Sequence, residues 1–345
     1  MEVLWFIGNG FDLNLGLDTS YSGFYKRVYS VDKEAAPQRE RLQSIIQNGS
    51  DLDIEYWSDF EELLGWSSGD YSVEEADLFH YTFEEIEQLF IEYLKGERAR
   101  FDSKTITDQD RDEFWDSITH FWKRFTPVDI NRIKGLMNPQ ESIIYRYVSL
   151  NYTDCFDEYL KCAKTAHDPF DSRVVTVTYN DSSNDVLHIH GELYGDEEIV
   201  FGVSDASQLA NEQFAEDEDC CELWIKERKN GFFGNLKVDN LKDVIRSANV
   251  ICAYGTNFGQ TDRYIWQKVG DRLRASSSVK MVLFSHGLPA RNSPRARQFQ
   301  IARKEAISRF AIASGMANEE MKSIETQIIV IPSNIIFHMS PDLAV

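Results

Sequence analysis

Positive charge is scarce in this chain. Lys and Arg number 36 against 57 Asp and Glu, a formal net charge of -21, so the surface is not built to neutralise nucleic-acid phosphates. Nucleic acid is therefore not expected as a partner, and an anionic ligand has to be held by backbone N–H groups or a few local cations. Cysteine is also sparse: Cys155, Cys162, Cys220, Cys221 and Cys252 are odd in number and contain no C-x-x-C. That excludes a disulfide framework and a zinc ribbon, and predicts reduced thiols. Only 8 prolines accompany 42% hydrophobic and 13% aromatic residues, a composition that excludes extended disorder. Long apolar runs are missing too. The segment VLWFI is too short for a signal sequence or a membrane span, which predicts a cytoplasmic protein with no membrane contact.

What the chain does have is length enough, 345 residues, for one large α/β domain or a core domain carrying an insertion. Short apolar runs at Glu2–Ile7, Tyr145–Leu150, Arg173–Thr178, Val186–Ile189, Glu198–Phe201, Val250–Ala253, Val279–Phe284 and Ile328–Ile331 read as strands. Several are apolar on both faces, as strands covered by helices on two sides are, so a mainly parallel sheet is expected. Helical periodicity separates many of them, over Thr153–Lys164, Glu222–Lys229, Leu236–Ala248, Thr261–Arg274 and Ser293–Ser314. Between the first strand and the next lies a long acidic, aromatic and helical section, far longer than a normal βα connection. It reads as a helical insertion over residues 20–140, hung on a core made of 1–19 and 141–345, its Trp and Phe stripe packing between its own helices.

Four constellations carry chemistry, three of them where an apolar strand stops. Ligands of open α/β sheets bind outside the carboxyl ends of the strands. The first is Gly8-Asn9-Gly10-Phe11-Asp12, which fails the dinucleotide fingerprint because Leu13 takes the last glycine position. Its glycines allow a tight turn and close approach to a ligand; a strand-to-helix turn capped by Asn9 or Asp12 is the competing reading. The second is YVSLNYTDCFD, where Asn151 at a strand tip can donate to and accept from a ribose hydroxyl or a water, while Thr153 or Asp154 would cap the next helix. The third is VLHIHGELYG. His188 and His190, two apart in a strand, would share a face, and His190 beside Gly191 suits a general base. A packed histidine pair and an H-x-H metal site compete with that reading, the latter without an obvious third ligand. The fourth is VICAYGTNFGQTDRYIW, a second donor-rich turn at Gly255-Thr256-Asn257.

The motifs GNGFDLNLGLDTSYSGF, WSDFEELLG, SLNYTD, HIHGEL, FGVSD and YGTNFGQTD, in this order, resemble the AbiH family of bacterial abortive-infection proteins, which protect bacterial populations against phage. That family in turn is distantly similar to sirtuin-type NAD-binding domains. The resemblance implies a three-layer, Rossmann-like (sirtuin-like) α/β fold with a mainly parallel sheet and a large helical insertion. It also implies cofactor-binding residues Gly8, Asn9, Gly10, Phe11, Asp12, Thr19, Gly255, Thr256 and Asn257, with Asn151 and His190 as the catalytic pair. Asn257 stands where a sirtuin has Ser, the zinc-binding cysteines are missing, and Asp12 brings a carboxylate into the glycine loop. Protein deacylation is thereby disfavoured.

The function expected from this set is anti-phage defence by hydrolysis of NAD to nicotinamide and ADP-ribose, with NAD as substrate and no metal. A non-catalytic nucleotide sensor and a metal-dependent nuclease or hydrolase are the alternatives. A toxic activity needs control, which would come from the helical section, from homo-oligomerisation or from a defence-system partner protein.

Overall fold

The computed structural model describes residues 1–30, 60–134, 136, 143–167, 174–176, 186–195, 198–289, 293–340 and 343. Among the described residues seven parallel strands form one sheet: β1 (Glu2–Ile7), β2 (Ile143–Ser149), β3 (Val174–Thr176), β4 (Val186–His188), β5 (Val250–Tyr254), β6 (Lys280–Ser285) and β7 (Ile328–Pro332). Their order is β3-β2-β1-β5-β6-β7, and β4 also pairs with β2. The strand β2 divides one edge between two partners, Ile143–Tyr145 pairing with β3 and Tyr147–Ser149 with β4. From β1 the chain works outward through β2 to β3 and β4, returns to β5 on the other side of β1, and works outward again to β7. The order reverses between β1 and β5, so their carboxyl ends form the crevice where doubly wound sheets take ligands.

Apolar residues on both faces of the central strands explain why the sheet is sandwiched. Val3, Leu4, Trp5, Phe6 and Ile7 are all fully buried. Leu4 and Phe6 join Ile251, Leu283 and Val330 in one core, closed by helices Lys237–Ser247, Arg263–Ala275 and Ala296–Ala313. Val3, Trp5 and Ile7 face the opposite way, with Tyr147, Cys252 and Phe284, toward helices Asp108–Thr119 and Cys155–His167. This is the three-layer, Rossmann-like α/β arrangement expected from sequence.

The section between β1 and β2 packs in two ways. Phe114, Trp115 and Ile118 lie directly on the sheet. Phe60 and Leu64 of helix Phe60–Ser67, and Phe79, Phe83, Ile86 and Phe90 of helix Ala76–Arg98, form a third core with Phe201, Val203, Phe214 and Trp224 from beyond β4. The aromatic stripe packs, but not only between its own helices as expected: Phe114 and Trp115 lie on the sheet, and Phe79, Phe83 and Phe90 meet residues beyond β4.

Two local expectations change. Residues 198–201 are not a strand, because Val200 donates to the His190 carbonyl at 2.8 Å and Gly202 to the Glu61 carboxylate at 3.2 Å instead of to a ladder. The helix expected over Glu222–Lys229 is two, Glu218–Trp224 and Lys226–Phe232. Val203 donates to the Trp224 carbonyl and accepts from the Lys226 N–H, which interrupts the helix at Ile225. Of the strand expected over Arg173–Thr178, residues 173, 177 and 178 lie outside the described residues. All five cysteines are free thiols, and among the described residues no helix is long and apolar enough to cross a membrane.

Candidate functional site

At the crevice between β1 and β5 the two expected glycine turns meet. Gly8 donates to the Tyr254 carbonyl at 2.9 Å and Gly10 to the Gly255 carbonyl at 3.0 Å. A Cβ on Gly10 would lie 2.4 Å from the Gly255 Cα, and Gly255 itself has φ of +69°. These glycines are required because two backbones touch, a need that exists before any ligand arrives. Gly8 and Gly255 also line a cavity of about 740 Å³, counting its open mouth.

The cavity gathers most of the residues expected from sequence. Asn9, Asp12, Thr19, Asn151, His190, Thr256 and Asn257 contribute to its wall beside Gly8 and Gly255. Gly10 and Phe11 do not. Gly10 is taken up by the contact with Gly255. Phe11, in the first turn of the short helix Gly10–Asn14, turns its fully buried ring into the core, 5.3 Å from Phe156 and 5.4 Å from Phe337. Its side chain is a packing residue, against the expectation that it joins the cradle.

Asp12 is not a helix cap. It lies inside the short helix, whose N-cap position is Asn9 with no side-chain cap bond. The Thr153 hydroxyl donates to Asp12 Oδ2 at 2.6 Å, and the Thr19 hydroxyl lies against the same buried carboxyl. Burial pushes the Asp12 carboxyl up to about 7, with the Thr153 and Thr19 hydroxyls holding it down in part. Thr153 is therefore committed to Asp12, and Asp154 to Arg98, whose Nη2 lies 3.0 Å from Asp154 Oδ2.

Asn151 is gripped through its backbone. Its N–H donates to Ser149 Oγ at 3.1 Å and its carbonyl meets His188 Nδ1 at 3.4 Å. The other ring nitrogen, His188 Nε2, lies 3.0 Å from Asp157 Oδ2. Burial would depress the His188 pKa, but the Asp157 carboxylate outweighs it and raises it to about 9. Both nitrogens then donate, so His188 is a charged clamp on the Asn151 backbone. The Asn151 carboxamide oxygen is left buried and without a partner among the described residues.

The two histidines do not act as a pair. β4 ends at His188, and His190 lies in the following turn, so strand alternation no longer aligns them. His190 Nδ1 faces the Leu150 carbonyl at 3.3 Å and Nε2 sits 3.0 Å from Asp262 Oδ1. Among the described residues no three His, Cys, Asp or Glu side chains are grouped to hold a metal ion.

Behind His190 lies a buried ionic chain that sequence reading missed. Lys226 Nζ bonds Glu61 Oε2 at 2.8 Å and Asp262 Oδ1 at 3.0 Å. Glu61 also accepts from Thr261 at 3.0 Å, Tyr152 at 3.3 Å and the Gly202 N–H. Burial alone would raise the Asp262 pKa, yet the Lys226 ammonium and His190 hold it well below the usual carboxylate range. A signal for Glu61 was present: it shares a helix face with buried Leu64 and Gly65, and a carboxylate on a buried face needs a cation. Asp262 closes the YGTNFGQTD motif. Lys226 has no local signature.

A protein-family model described as Bacteriophage abortive infection AbiH matches residues 4–284. No curated protein matches the chain. The match spans far more than half of the sequence, from inside β1 to the end of the β6 core, and takes in every wall of the cavity. The chain belongs to the AbiH family of phage abortive-infection proteins.

Proposed function

We propose that this AbiH protein acts in anti-phage defence as an NAD glycohydrolase, cleaving the bond between nicotinamide and ribose with water. The observation that carries the reading is the convergence of the Asn151 carboxamide, the Asp12 carboxyl and His190 on one cavity at the β1/β5 crevice. This bond breaks through an oxocarbenium-like transition state, which asks for charge stabilisation and a positioned nucleophile more than for a strong acid. Asn151, with its backbone clamped and its carbonyl oxygen free for a ligand, orients the water or a ribose hydroxyl. His190 is the base, and the Asp262 carboxylate 3.0 Å from its Nε2 stabilises the imidazolium that forms. General-base catalysis of this kind contributes about 10²- to 10⁴-fold, roughly 3–5 kcal/mol at about 1.4 kcal/mol per factor of ten.

The geometry supports this over metal-dependent hydrolysis, for which the described residues offer no ligand set. The test follows NAD, nicotinamide and ADP-ribose by chromatography in infected cells and with purified protein, comparing wild type with His190→Ala and Asn151→Ala. Wild type should release nicotinamide and ADP-ribose in equal amounts, and both variants should lose the activity while keeping the wild-type circular dichroism. Unchanged NAD loss in either variant refutes the assignment, and saturable binding without product in infected extracts points to a sensor instead.

A further inference from the structure

Charge is segregated along this chain. Residues 42–94 contain no Lys or Arg, nor do residues 174–225, whereas residues 272–304 contain no Asp or Glu. The acid-free stretch runs into helix Ala296–Ala313. Phe299, Ala306, Ile307 and Phe310 turn one side of that helix into the core. On the other side Arg297, Ile301, Lys304, Ser308 and Ile312 follow at helical spacing and are all exposed, Ile312 at 61%. Glu305 is the helix's one acidic residue. Arg297 and Lys304 have no carboxylate partner among the described residues, whereas Arg303 is held by Glu325 at 2.9 Å. Helix stability does not call for this pattern. Arg295 and Arg297 stand at the N-terminal end, where the helix dipole disfavours cations, with no acid in the first turn and no base in the last.

The two cation-free stretches meet each other. Asn211 Nδ2 donates to the Tyr71 carbonyl at 2.8 Å, and the stacked rings of Phe214 and Phe79 have centroids 5.7 Å apart. These contacts seat helices Glu212–Glu216 and Glu218–Trp224 beside the start of helix Ala76–Arg98. Val73, Leu78 and Tyr81 are exposed there, Tyr81 at 64%, near the exposed carboxylates of Glu74, Asp77, Glu212, Glu216, Asp217 and Glu218. Exposed apolar side chains beside charge of one sign mark a protein contact. The occupant such a face selects is cationic and aliphatic, which describes the outer side of helix Ala296–Ala313. Isoleucines have no counterpart on a phosphate backbone, and that side carries no aromatic ring to stack on bases, so a protein surface fits the helix better than a nucleic acid. We infer that the chain assembles head to tail, helix Ala296–Ala313 of one copy docking on the acidic, apolar face at Val73–Tyr81 and Glu212–Glu218 of the next. The two faces differ, so each contact leaves one of each kind free and builds an open chain or a ring rather than a closed two-fold dimer. The inference is independent of NAD turnover.

The experiment is sedimentation velocity of the full chain over a range of protein concentrations, at about 50 mM and about 500 mM NaCl. Mass should grow past that of a dimer with concentration, and association should weaken at the higher salt. Arg297→Glu combined with Lys304→Glu should weaken association about 100-fold, because like charges then face each other. Leu78→Ser combined with Tyr81→Ser should weaken it similarly from the other face. Each double variant alone should stay monomeric. A mixture of the two should form an equimolar heterodimer, since one intact pair of faces remains, and that heterodimer also shows both variants to be folded. A wild-type monomer at every concentration up to about 100 μM, a dimer that does not grow, assembly unaltered in either variant, or a mixture that stays monomeric overturns the inference. So does wild-type assembly that disappears on nuclease treatment, which would give the basic helix to a nucleic acid.

Discussion

Replacement of Asp12 by Asn should make the protein more stable at alkaline pH, and the size of the gain follows from its burial. The carboxyl is raised from an ordinary 3.8 to about 7. In the window between those values the folded chain holds a proton that the unfolded chain has released, so stability falls as pH rises through it. Three units at about 1.4 kcal/mol each give about 4 kcal/mol between the fully protonated and fully ionised limits. Between about pH 5 and pH 8 the share is roughly 2–3 kcal/mol. Asn has nearly the same shape and does not titrate. The difference in unfolding free energy, Asp12→Asn minus wild type, should therefore shift by that amount in favour of Asn across this range. The two chains should differ least in acid. Urea unfolding followed by tryptophan fluorescence at several pH values gives the difference directly, and other titrating groups cancel because both chains share them. Parallel stability curves, with a constant offset between wild type and variant, would refute the reasoning.

Two further outcomes test the ionic arrangement around the cavity. Lys226→Met should destabilise the protein by about 3–5 kcal/mol near neutral pH, because it leaves Glu61 and Asp262 buried without their cation; a urea midpoint implying less than about 1 kcal/mol would contradict the chain of contacts. His188, raised from 6.5 to about 9 by Asp157, contributes stability that is complete below its unfolded value and is lost as pH climbs through about 9, about 3 kcal/mol in all. His188→Gln should flatten that alkaline decline, and an undiminished decline in the variant would rule the clamp out.

The sheet was legible because strands buried on both faces carry no polar alternation, and β1 is apolar from Val3 to Ile7. The chemistry-bearing turns were legible for a related reason, since each follows such a run directly. Gly8, Asn151, His190 and Gly255 do border one cavity. Side-chain direction was less accessible: Phe11 and Asp12 are neighbours, yet one enters the core and the other the cavity, which depends on how a five-residue helix is seated. The break at Ile225 depends on a backbone exchange with Val203, and the His190–Asp262–Lys226–Glu61 chain depends on residues far apart in sequence. Local patterns cannot report either. The WSDFEELLG motif could have done more, because a carboxylate between Phe60 and Leu64 marks a buried charge in need of a partner.

That ionic chain has a bearing on how the protein is made. Glu61 meets Lys226 across 165 positions and Thr261 across 200, and Asp262 follows immediately. A ribosome releases the glycine loop and Glu61 long before the residues that complete His190's surroundings. Until Asp262 has emerged, His190 has no carboxylate beside its Nε2. Translation itself therefore withholds the finished site from every nascent chain.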